Sequence, residues 1–517
     1  MALEIPAEDR VDVQSAVARL SSVVASAATR LRAVDVCEPF AEVLLATRRQ
    51  PMPAVTGAQV APASISSGSA LDAVSESFAR IAAGRTTPSA WMSLDRNEAL
   101  ARAVKLDEDR STGAAVGVLH GVPVGLKDMF DRRGRVSSWG STVRRDEAPA
   151  GMDATIVSRL EQAGAVVIGA LHMAEFAMSP TGLNDQLGHG TNPHDPQRVS
   201  GGSSSGAGMV VGAREVPLAI GSDTGGSVRL PAALCGVTGL KPTQFRLSVA
   251  GAMPLSPSLD CIGPLGLSAD LCGRALAAMA GADPSDASCV HLPVRAGGWL
   301  GRKAGDFSVA VPRLVSGEYL SSEMLASLKR VRGELAEVGM RFVEVDLPDL
   351  GLYGDLASVL LAVESAAVHR HDLAKRPEVF GRQVRRRLSR GLLVTGLDYH
   401  ESQRLRAPLL RRFMRETLEG IDALLLPTTP AGAPRIKDTV GDDHLKLERE
   451  FGKLSYWTRG INYLGLPALS LPAGVDSDGL PLSVQFVGGA FDEERLLAIG
   501  HIFQSISDWH LHSPPKS

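Results

Sequence analysis

Cysteine is scarce in this chain of 517 residues, and its few cysteines are isolated. Five occur, none in a C-x-x-C pair, at Cys37, Cys235, Cys261, Cys272 and Cys289. Such spacing gives neither a disulfide framework nor a zinc knuckle. The 12 histidines contain no H-E-x-x-H motif, and we interpret the pair His369 and His371 as solvated, because side chains two residues apart diverge on a helix. The sequence therefore predicts no metal and no cofactor.

The chain also lacks a strong charge of either sign and a long apolar run. Its formal net charge of −3 gives no electrostatic reason to expect nucleic acid or a membrane as a partner. No apolar stretch approaches the ~20 residues that a membrane-spanning helix needs. The acidic start, MALEIPAEDRVD, does not resemble a signal peptide. We therefore predict a cytoplasmic protein with no nucleic-acid or membrane partner.

The first fifty residues show a helical pattern of their own. Apolar residues recur at alternating steps of four and three from Val13 to Val34, which places them on one helix face. A second short helix is predicted at 40–49, after Pro39. We interpret residues 1–50 as an N-terminal helical extension that packs on the protein's own body, and a homodimer contact through the same seam is the alternative.

Beyond this extension, the chain divides into a linker and one large domain. Residues 51–69 are rich in Pro, Ala, Gly and Ser and are predicted to be the linker. In residues 70–517, helical and strand-like stretches alternate, and the strand candidates lie at 165–170, 216–220, 308–312, 340–345, 423–427, 468–472 and 482–488. This alternation predicts an α/β fold with a large, mainly parallel or mixed central sheet flanked by helices on both faces.

Two Gly-Gly-Ser clusters, at 201–203 and 225–227, stand out in the segment 200–243. Glycine allows sharp turns and exposes backbone N–H groups at close range. A serine at the end of such a turn has an accessible hydroxyl and nearby donors for a developing oxyanion. Those are the requirements of acyl transfer.

Three other interpretations of this segment are open from the residues alone. The fragment GAGMVVG (206–212) has the wrong spacing for a dinucleotide-binding G-x-G-x-x-G. The run GSSSG (202–206) matches the G-x-S-x-G elbow with Ser204 as nucleophile, but that elbow must follow a strand, and the polar segment before it contains two prolines. Each cluster taken singly would be interpreted as turn glycines and solvated serines.

The whole pattern resembles the amidase-signature family. The chain carries GGSSSG at 201–206, SDTGGSVRLPA at 222–232 and GLKPT at 239–243, all typical of that signature. HGVPVGLKD (120–128) is similar to the segment that carries the family's lysine. Further similar runs are TNPHDP (191–196), SLDCIGPL (258–265) and NYLGLPALSLPAG (462–474). The resemblance covers roughly residues 65–510 and leaves the N-terminal extension unexplained.

Carried over by position, the resemblance implies a serine amidohydrolase with a Ser-Ser-Lys triad. Ser227 would be the nucleophile that forms the acyl-enzyme, Ser203 would relay the proton from a cis peptide bond, and Lys127 would be the base. The oxyanion hole would be formed by the backbone N–H groups of Thr224, Gly225, Gly226 and Ser227. The expected supporting residues are Ser204, Asp223 and Arg229.

The residues around Lys127 agree with a role as base. A lysine acts as a base near neutral pH only when its ammonium form is destabilised. Lys127 lies in VPVGLKD, an apolar strand-like run that would remove it from water. Asp128 would point to the opposite side if the run is extended.

The resemblance leaves the substrate open. The implied partner is a small amide-like molecule, although family members also act on carbamates, ureas or esters, and others are the glutaminase components of tRNA-dependent amidotransferases. We expect specificity to reside in 172–186 and 350–460. The arginine-rich run RQVRRRLSR (382–390) is interpreted as a solvated helix face rather than an anion contact.

Overall fold

The computed structural model describes residues 5–30, 38–54, 68–84, 86, 90–292 and 294–514. The strands in these ranges are β1 (Trp91–Leu94), β2 (Pro123–Lys127), β3 (Val166–Leu171), β4 (Leu218–Ser222), β5 (Thr238–Lys241), β6 (Ile262–Gly266), β7 (Ser308–Pro312), β8 (Arg341–Val345), β9 (Ala423–Pro427), β10 (Ala468–Val475) and β11 (Pro481–Gly488).

The α-helices in the same ranges surround these strands. They are α1 (Ala7–Arg30), α2 (Phe40–Ala46), α3 (Ala70–Ala82), α4 (Arg96–Ser111), α5 (Thr155–Gln162), α6 (Ser205–Gly212), α7 (Arg229–Leu234), α8 (Ala269–Met279), α9 (Ser322–Glu337), α10 (Leu350–Val368), α11 (Arg370–Lys375), α12 (Arg382–Ser389), α13 (Gly396–Arg404), α14 (Arg406–Thr417), α15 (His444–Leu454), α16 (Tyr456–Tyr463) and α17 (Glu493–Ile506).

Within the described ranges, the strands form one sheet in the order β1-β3-β2-β4-β6-β5-β10-β11-β9-β7-β8. Parallel pairs lie toward its two ends, where β2 runs between β3 and β4 and where β7 runs between β9 and β8. The strands between β4 and β9 pair antiparallel. The predicted α/β class is therefore confirmed, and the sheet is of the mixed kind.

The apolar core lies on both faces of this sheet. Along β4, Leu218 and Ile220 belong to one buried cluster, and Ala219 between them belongs to another. Successive strand residues point to opposite faces, so the two clusters lie on opposite sides. Helices α5 and α8 contribute to the first cluster and helices α3, α4 and α6 to the second, which gives the predicted helical layer on each face.

Helix α1 packs on the body of the protein, mainly against α10, α12 and α13. The apolar seam predicted from the sequence faces inward, as shown by its buried members Val13, Val17, Leu20, Val24 and Ala27. Since this surface is covered by the chain itself, the seam does not support a homodimer contact. The seam residues Leu31 and Val34, and most of the predicted linker (55–67), lie outside the described residues.

The arginine-rich run forms α12, and the prediction that it is a solvated face is wrong. Arg386 is buried, and its Nε donates to the carboxylate of the fully buried Asp9. Arg385 donates to the other oxygen of Asp9 over 2.9 Å. Charges from α1, far away in the sequence, compensate these arginines and allow them to leave water.

His369 also departs from expectation, because it is buried whereas His371 is exposed. Its ring packs 4.2 Å from the ring of Phe176, measured between centroids. Burial lowers the pKa of His369 to about 4, so the imidazole is neutral. The interpretation of this pair as solvated therefore holds for His371 alone.

The prediction that no apolar stretch approaches the length of a membrane-spanning helix is wrong for α10, which among the described helices has such a length and apolar composition. It instead packs as an internal helix, with its most extensive contacts to α16 and further contacts to α1, α12 and α13.

Replacing Asp9 tests how firmly α1 is attached. Asp9→Ala leaves Arg385 and Arg386 without their buried counter-ion, and breaking a buried pair in this way costs about 3–5 kcal/mol. We expect that loss in the free energy of unfolding measured by urea denaturation. The control is Glu8→Ala, because Glu8 is 64% exposed in its pair with Arg385 and should contribute no more than about 1 kcal/mol. Equal effects of the two substitutions would contradict the proposed anchoring.

Candidate active site

Lys127 is the last residue of β2 and is 1% exposed. Because β2 runs parallel to β4, the carboxyl ends of both strands meet at one edge of the sheet. There the Lys127 Nζ donates to the Ser203 Oγ over 2.8 Å and to the Ser222 Oγ, at the end of β4, over 2.9 Å. Burial lowers the pKa of Lys127 to about 7, against the opposing fields of Asp260 and Asp223. An appreciable fraction of neutral amine is therefore present near pH 7.

Ser203 is fully buried and lies in a tight turn before α6. The Gly202–Ser203 peptide bond is cis, as the family resemblance implies. The Gly202 N–H donates to the carbonyl of Pro180 over 2.8 Å, and the Ser203 carbonyl accepts from the Ala174 N–H over 3.1 Å. The segment 174–180 thus holds the backbone of Ser203 from one side while Lys127 holds its hydroxyl.

Ser204 connects the two glycine-serine clusters. Its N–H donates to the carbonyl of Ser227 over 3.3 Å, which places the second cluster beside Ser203. Its Oγ lies 3.2 Å from the carbonyl oxygen and 3.3 Å from the amide nitrogen of Ser222. The Ser204 hydroxyl is thus occupied by backbone groups, which is the arrangement of a supporting residue.

Ser227 lies in the loop between β4 and α7, which we call the 223–228 loop. It is 9% exposed, more than Lys127 or Ser203. Within the described part of the chain its hydroxyl has no hydrogen-bond partner. The structure therefore joins Lys127 and Ser203 directly through their side chains, whereas Ser227 reaches them through the backbone contact with Ser204.

Asp223 and Arg229 form a buried ion pair at the base of the 223–228 loop. The Arg229 Nε donates to Asp223 over 3.0 Å, and both side chains are fully buried. Burial raises the pKa of Asp223, but the charge and hydrogen bonds of Arg229 outweigh this effect and lower it to about 2. Asn462 donates to Asp223 over 2.9 Å, and Gln485 accepts from Arg229 over 2.9 Å. The pair therefore stabilises the loop, because Asp223 also accepts hydrogen bonds from the backbone N–H groups of Gly226 and Val228.

This network corrects one predicted oxyanion donor. The Gly226 N–H donates to the Asp223 carboxylate over 2.7 Å, so Gly226 leaves the predicted set. Its φ of +129° and the closeness of Thr458 leave no room for a β-carbon, which explains why this position needs glycine. Within the described residues, the N–H groups of Thr224, Gly225 and Ser227 make no hydrogen bond to the protein.

Three residues at this site were not singled out from the sequence. Ser222 is the second acceptor for Lys127, and Asn462 braces Asp223. Asp260 accepts a 2.6 Å hydrogen bond from the Thr224 hydroxyl, and burial raises its pKa to about 6. Asp260 and Asn462 lie within runs that resemble the family, and Ser222 begins the SDTGGS run. The sequence therefore marks these motifs, but it does not predict which side chains the three residues contact.

Metal ligands do not cluster in the described part of the chain: it contains no group of three His, Cys, Asp or Glu side chains that could hold a metal ion. The cysteines described are free thiols, at Cys235, Cys261, Cys272 and Cys289.

Known proteins are similar to this chain in sequence and in fold. Residues 72–497 match the family model described as Amidase. The chain is 35% identical over 459 residues to the A subunit of the Glutamyl-tRNA(Gln) amidotransferase of Coxiella burnetii, covering 84% of this chain and 93% of that protein.

Solved structures are similar to this chain over most of its length. One comes from a vestigial protein complex that reveals the evolutionary origins of an s-triazine catabolic enzyme; it has a TM-score of 0.78 and 31% identity, covering 87% of this chain and 97% of that chain. Another, a peptide amidase in complex with the competitive inhibitor chymostatin, has a TM-score of 0.71 and 28% identity, covering 85% of this chain and 94% of that chain.

Fold and sequence together define an enzyme of the class that acts on carbon–nitrogen bonds. The chain belongs to the amidase family, whose members carry the amidase signature. The N-terminal extension, including α1, lies before the matched region.

The Asp223–Arg229 pair can be tested by a double-mutant cycle. Arg229→Met leaves a buried carboxylate unpaired and should lower the free energy of unfolding by about 3–5 kcal/mol. Adding Asp223→Asn removes the uncompensated charge and should recover part of that loss. Urea denaturation of both single variants and the double variant measures the coupling. Strictly additive effects would contradict a direct buried pair.

Proposed function

We propose that this enzyme is a serine amidohydrolase that cleaves an amide-like C–N bond through an acyl-enzyme on Ser227. The observation that supports this most strongly is the buried Lys127 amine, 2.8 Å from the Ser203 hydroxyl and with a pKa lowered by burial to about 7. A desolvated amine beside a hydroxyl can accept a proton at neutral pH. The adjoining 223–228 loop offers a second hydroxyl and, within the described residues, backbone donors with no protein acceptor.

Acylation would proceed by a proton relay. The Ser227 Oγ attacks the carbonyl carbon of the substrate, its proton passes to the Ser203 Oγ, and the Ser203 proton passes to Lys127. Hydrogen bonds of this kind often form fully only when substrate is bound, so we propose that the Ser227 hydroxyl turns toward Ser203 at that stage. The C–N bond then breaks, and the leaving amine takes the proton back along the same route.

Deacylation repeats the relay with water. Water attacks the acyl carbon, its proton passes through Ser203 to Lys127, and the bond to Ser227 breaks as that oxygen regains a proton. The negative charge on the carbonyl oxygen in both steps would be stabilised by the N–H groups of Thr224, Gly225 and Ser227. Donors fixed in advance by the fold stabilise such a charge without reorganising.

A second candidate function is that of the glutaminase component, the A subunit, of a tRNA-dependent amidotransferase. It is favoured by the relatives that bear the name of this Glutamyl-tRNA(Gln) amidotransferase component and match over most of their length. The same relay would then release ammonia from glutamine for a partner protein. Hydrolysis of a model anilide by the purified chain, without stimulation by added partner proteins or tRNA, would favour the stand-alone amidase.

For the location, we propose the cytoplasm. The four described cysteines are free thiols, which accords with a reducing compartment.

Substitutions in the triad test the mechanism. Ser227→Ala should abolish turnover, and Ser203→Ala and Lys127→Ala should each lower kcat by several orders of magnitude, because the members of a catalytic unit fail together. The measurement is kcat in a screen of anilides, aliphatic amides, esters and carbamates.

The matched control is Ser204→Ala, which removes a neighbouring hydroxyl that is bonded to the backbone of Ser222. Its effect should be milder than that of Ser203→Ala. Loss of activity in Ser204→Ala together with activity retained in Ser227→Ala would favour the nucleophile-elbow interpretation instead. A phosphonofluoridate probe should label Ser227 in the unmodified protein.

The pH profile tests the role of Lys127. Its pKa is lowered from 10.5 to about 7, and only the neutral amine can accept a proton. We therefore expect kcat/KM to be constant well above pH 7 and to fall by about tenfold per pH unit below it. Lys127→Arg, which keeps a positive charge that cannot be lost near neutral pH, should be inactive over the whole range. A profile without a transition near pH 7 would argue against Lys127 as the base.

A further inference from the structure

A cavity of about 560 Å³ lies between α1, α10, α12, α15 and α16. Its wall reaches the 223–228 loop, because a β-carbon on Gly225 would lie 3.5 Å from the Cγ of Arg459, a residue that lines the cavity. Met178, another lining residue, is two positions before Pro180, whose carbonyl accepts from Gly202. The cavity is therefore lined by one residue that packs against the 223–228 loop and by one residue of the 174–180 segment that holds the backbone of Ser203.

Positive charge dominates the lining of this cavity. Its cationic side chains are Arg19, Arg387, Arg390, Arg449, Lys453 and Arg459, and its acidic ones are Glu318, Asp355 and Glu448. Burial lowers the pKa of His444, which also lines it, so this imidazole adds no charge at neutral pH. A cavity lined by an excess of cations favours an anion.

Arg459 is the cation next to the 223–228 loop. Its two terminal nitrogens contact the Ser358 hydroxyl at 3.2 Å and the Gly452 carbonyl at 3.4 Å. Its Nε is buried, and in the described part of the chain this atom has no hydrogen-bond partner. Within the same ranges no salt bridge joins Arg459 to a carboxylate. The guanidinium therefore retains N–H groups in the planar arrangement that binds a carboxylate through two hydrogen bonds.

Two further arginines that line the cavity share one carboxylate. Glu448 lies 2.8 Å from a terminal nitrogen of Arg390 and 3.8 Å from the Nε of Arg387. The Arg390 Nε is buried and without a partner among the described residues. Since one acidic group faces two cations here, this cluster adds to the positive excess. Glu448 and Asp355 also act on Arg459 through their charge, although neither forms a salt bridge with it among the described residues.

We propose that this cavity binds an anionic acyl group, and that Arg459 holds a carboxylate of the substrate while the scissile carbonyl lies at the 223–228 loop. The inference rests on the proposed function and specifies its substrate class: an amide whose acyl part carries a second, negatively charged end. Neutral amides of the same length would reach the same serine without the contact to Arg459.

The test compares two substrates that differ only in this charge, the 4-nitroanilides of butyric acid and of glutaric acid with its second carboxylate free. The unmodified protein should show a kcat/KM at least about tenfold higher for the glutaric derivative, the value of one charge-assisted contact. Arg459→Gln should bring the ratio of the two kcat/KM values close to one, because it raises the KM for the anionic substrate much more than the KM for the butyric anilide. Arg459→Lys keeps the positive charge but not the planar guanidinium group, and it should retain part of the preference for the anionic substrate.

Arg313→Gln is the matched control, because Arg313 is 78% exposed and does not line the cavity. It should leave the ratio unchanged. A ratio near one in the unmodified protein, or one that Arg459→Gln does not alter, would overturn the inference while leaving the serine chemistry intact.

Calorimetric titration with glutarate gives a second measurement that does not depend on turnover. Glutarate should bind the unmodified protein and the Arg313→Gln variant, and at least about tenfold more weakly the Arg459→Gln variant. Equal binding to all three would overturn the inference. Weaker binding to Arg459→Gln in a protein whose hydrolysis survives Ser227→Ala would uphold the anion site and reject the proposed serine mechanism.

Discussion

The arrangement of this site depends on the removal of one lysine from water. A buried ammonium group is unfavourable unless a counter-ion touches it, and the groups that touch Lys127 are the hydroxyls of Ser203 and Ser222. Asp223 and Asp260 are near enough to raise its pKa, but Asp223 is neutralised by Arg229, and Asp260 is bound by Thr224 and two backbone amides. Because both carboxylates are bound by other groups, the effect of burial on the pKa of Lys127 is larger than the opposing effect of their charges.

The two arginines beside the 223–228 loop, Arg229 and Arg459, have different functions in this fold. Arg229 donates to a carboxylate, two side-chain amides and a backbone carbonyl, and it stabilises the 223–228 loop through its pair with Asp223. Arg459 is adjacent to the same loop but lacks a salt-bridge partner within the described residues, so it keeps N–H groups beyond those that donate to Ser358 and Gly452. The same residue type therefore supports the loop in one place and, as we propose, selects the substrate in the other.

The N-terminal helix α1 forms part of the wall of the same cavity that Arg459 lines. Ser15, Ala16, Arg19 and Leu20 of α1 line the cavity, and Asp9 binds the helix that presents Arg387 to it. A segment outside the matched family region thus forms part of the wall around the proposed substrate site.

The sequence by itself predicted seven of the strands in the described ranges (β3, β4 and β7 to β11) and the N-terminal helix, because apolar periodicity is a local property of the chain. Its signature motifs also indicated the family, and the resemblance to that family implied the residues of the proposed reaction centre. The sequence did not determine that Gly226 donates to Asp223, that α12 is covered by α1, or that Arg459 has no salt bridge among the described residues. These three features depend on which segments, distant in the sequence, are in contact in the folded protein. Burial and charge compensation are set by neighbours in space, and only the tertiary structure decides those.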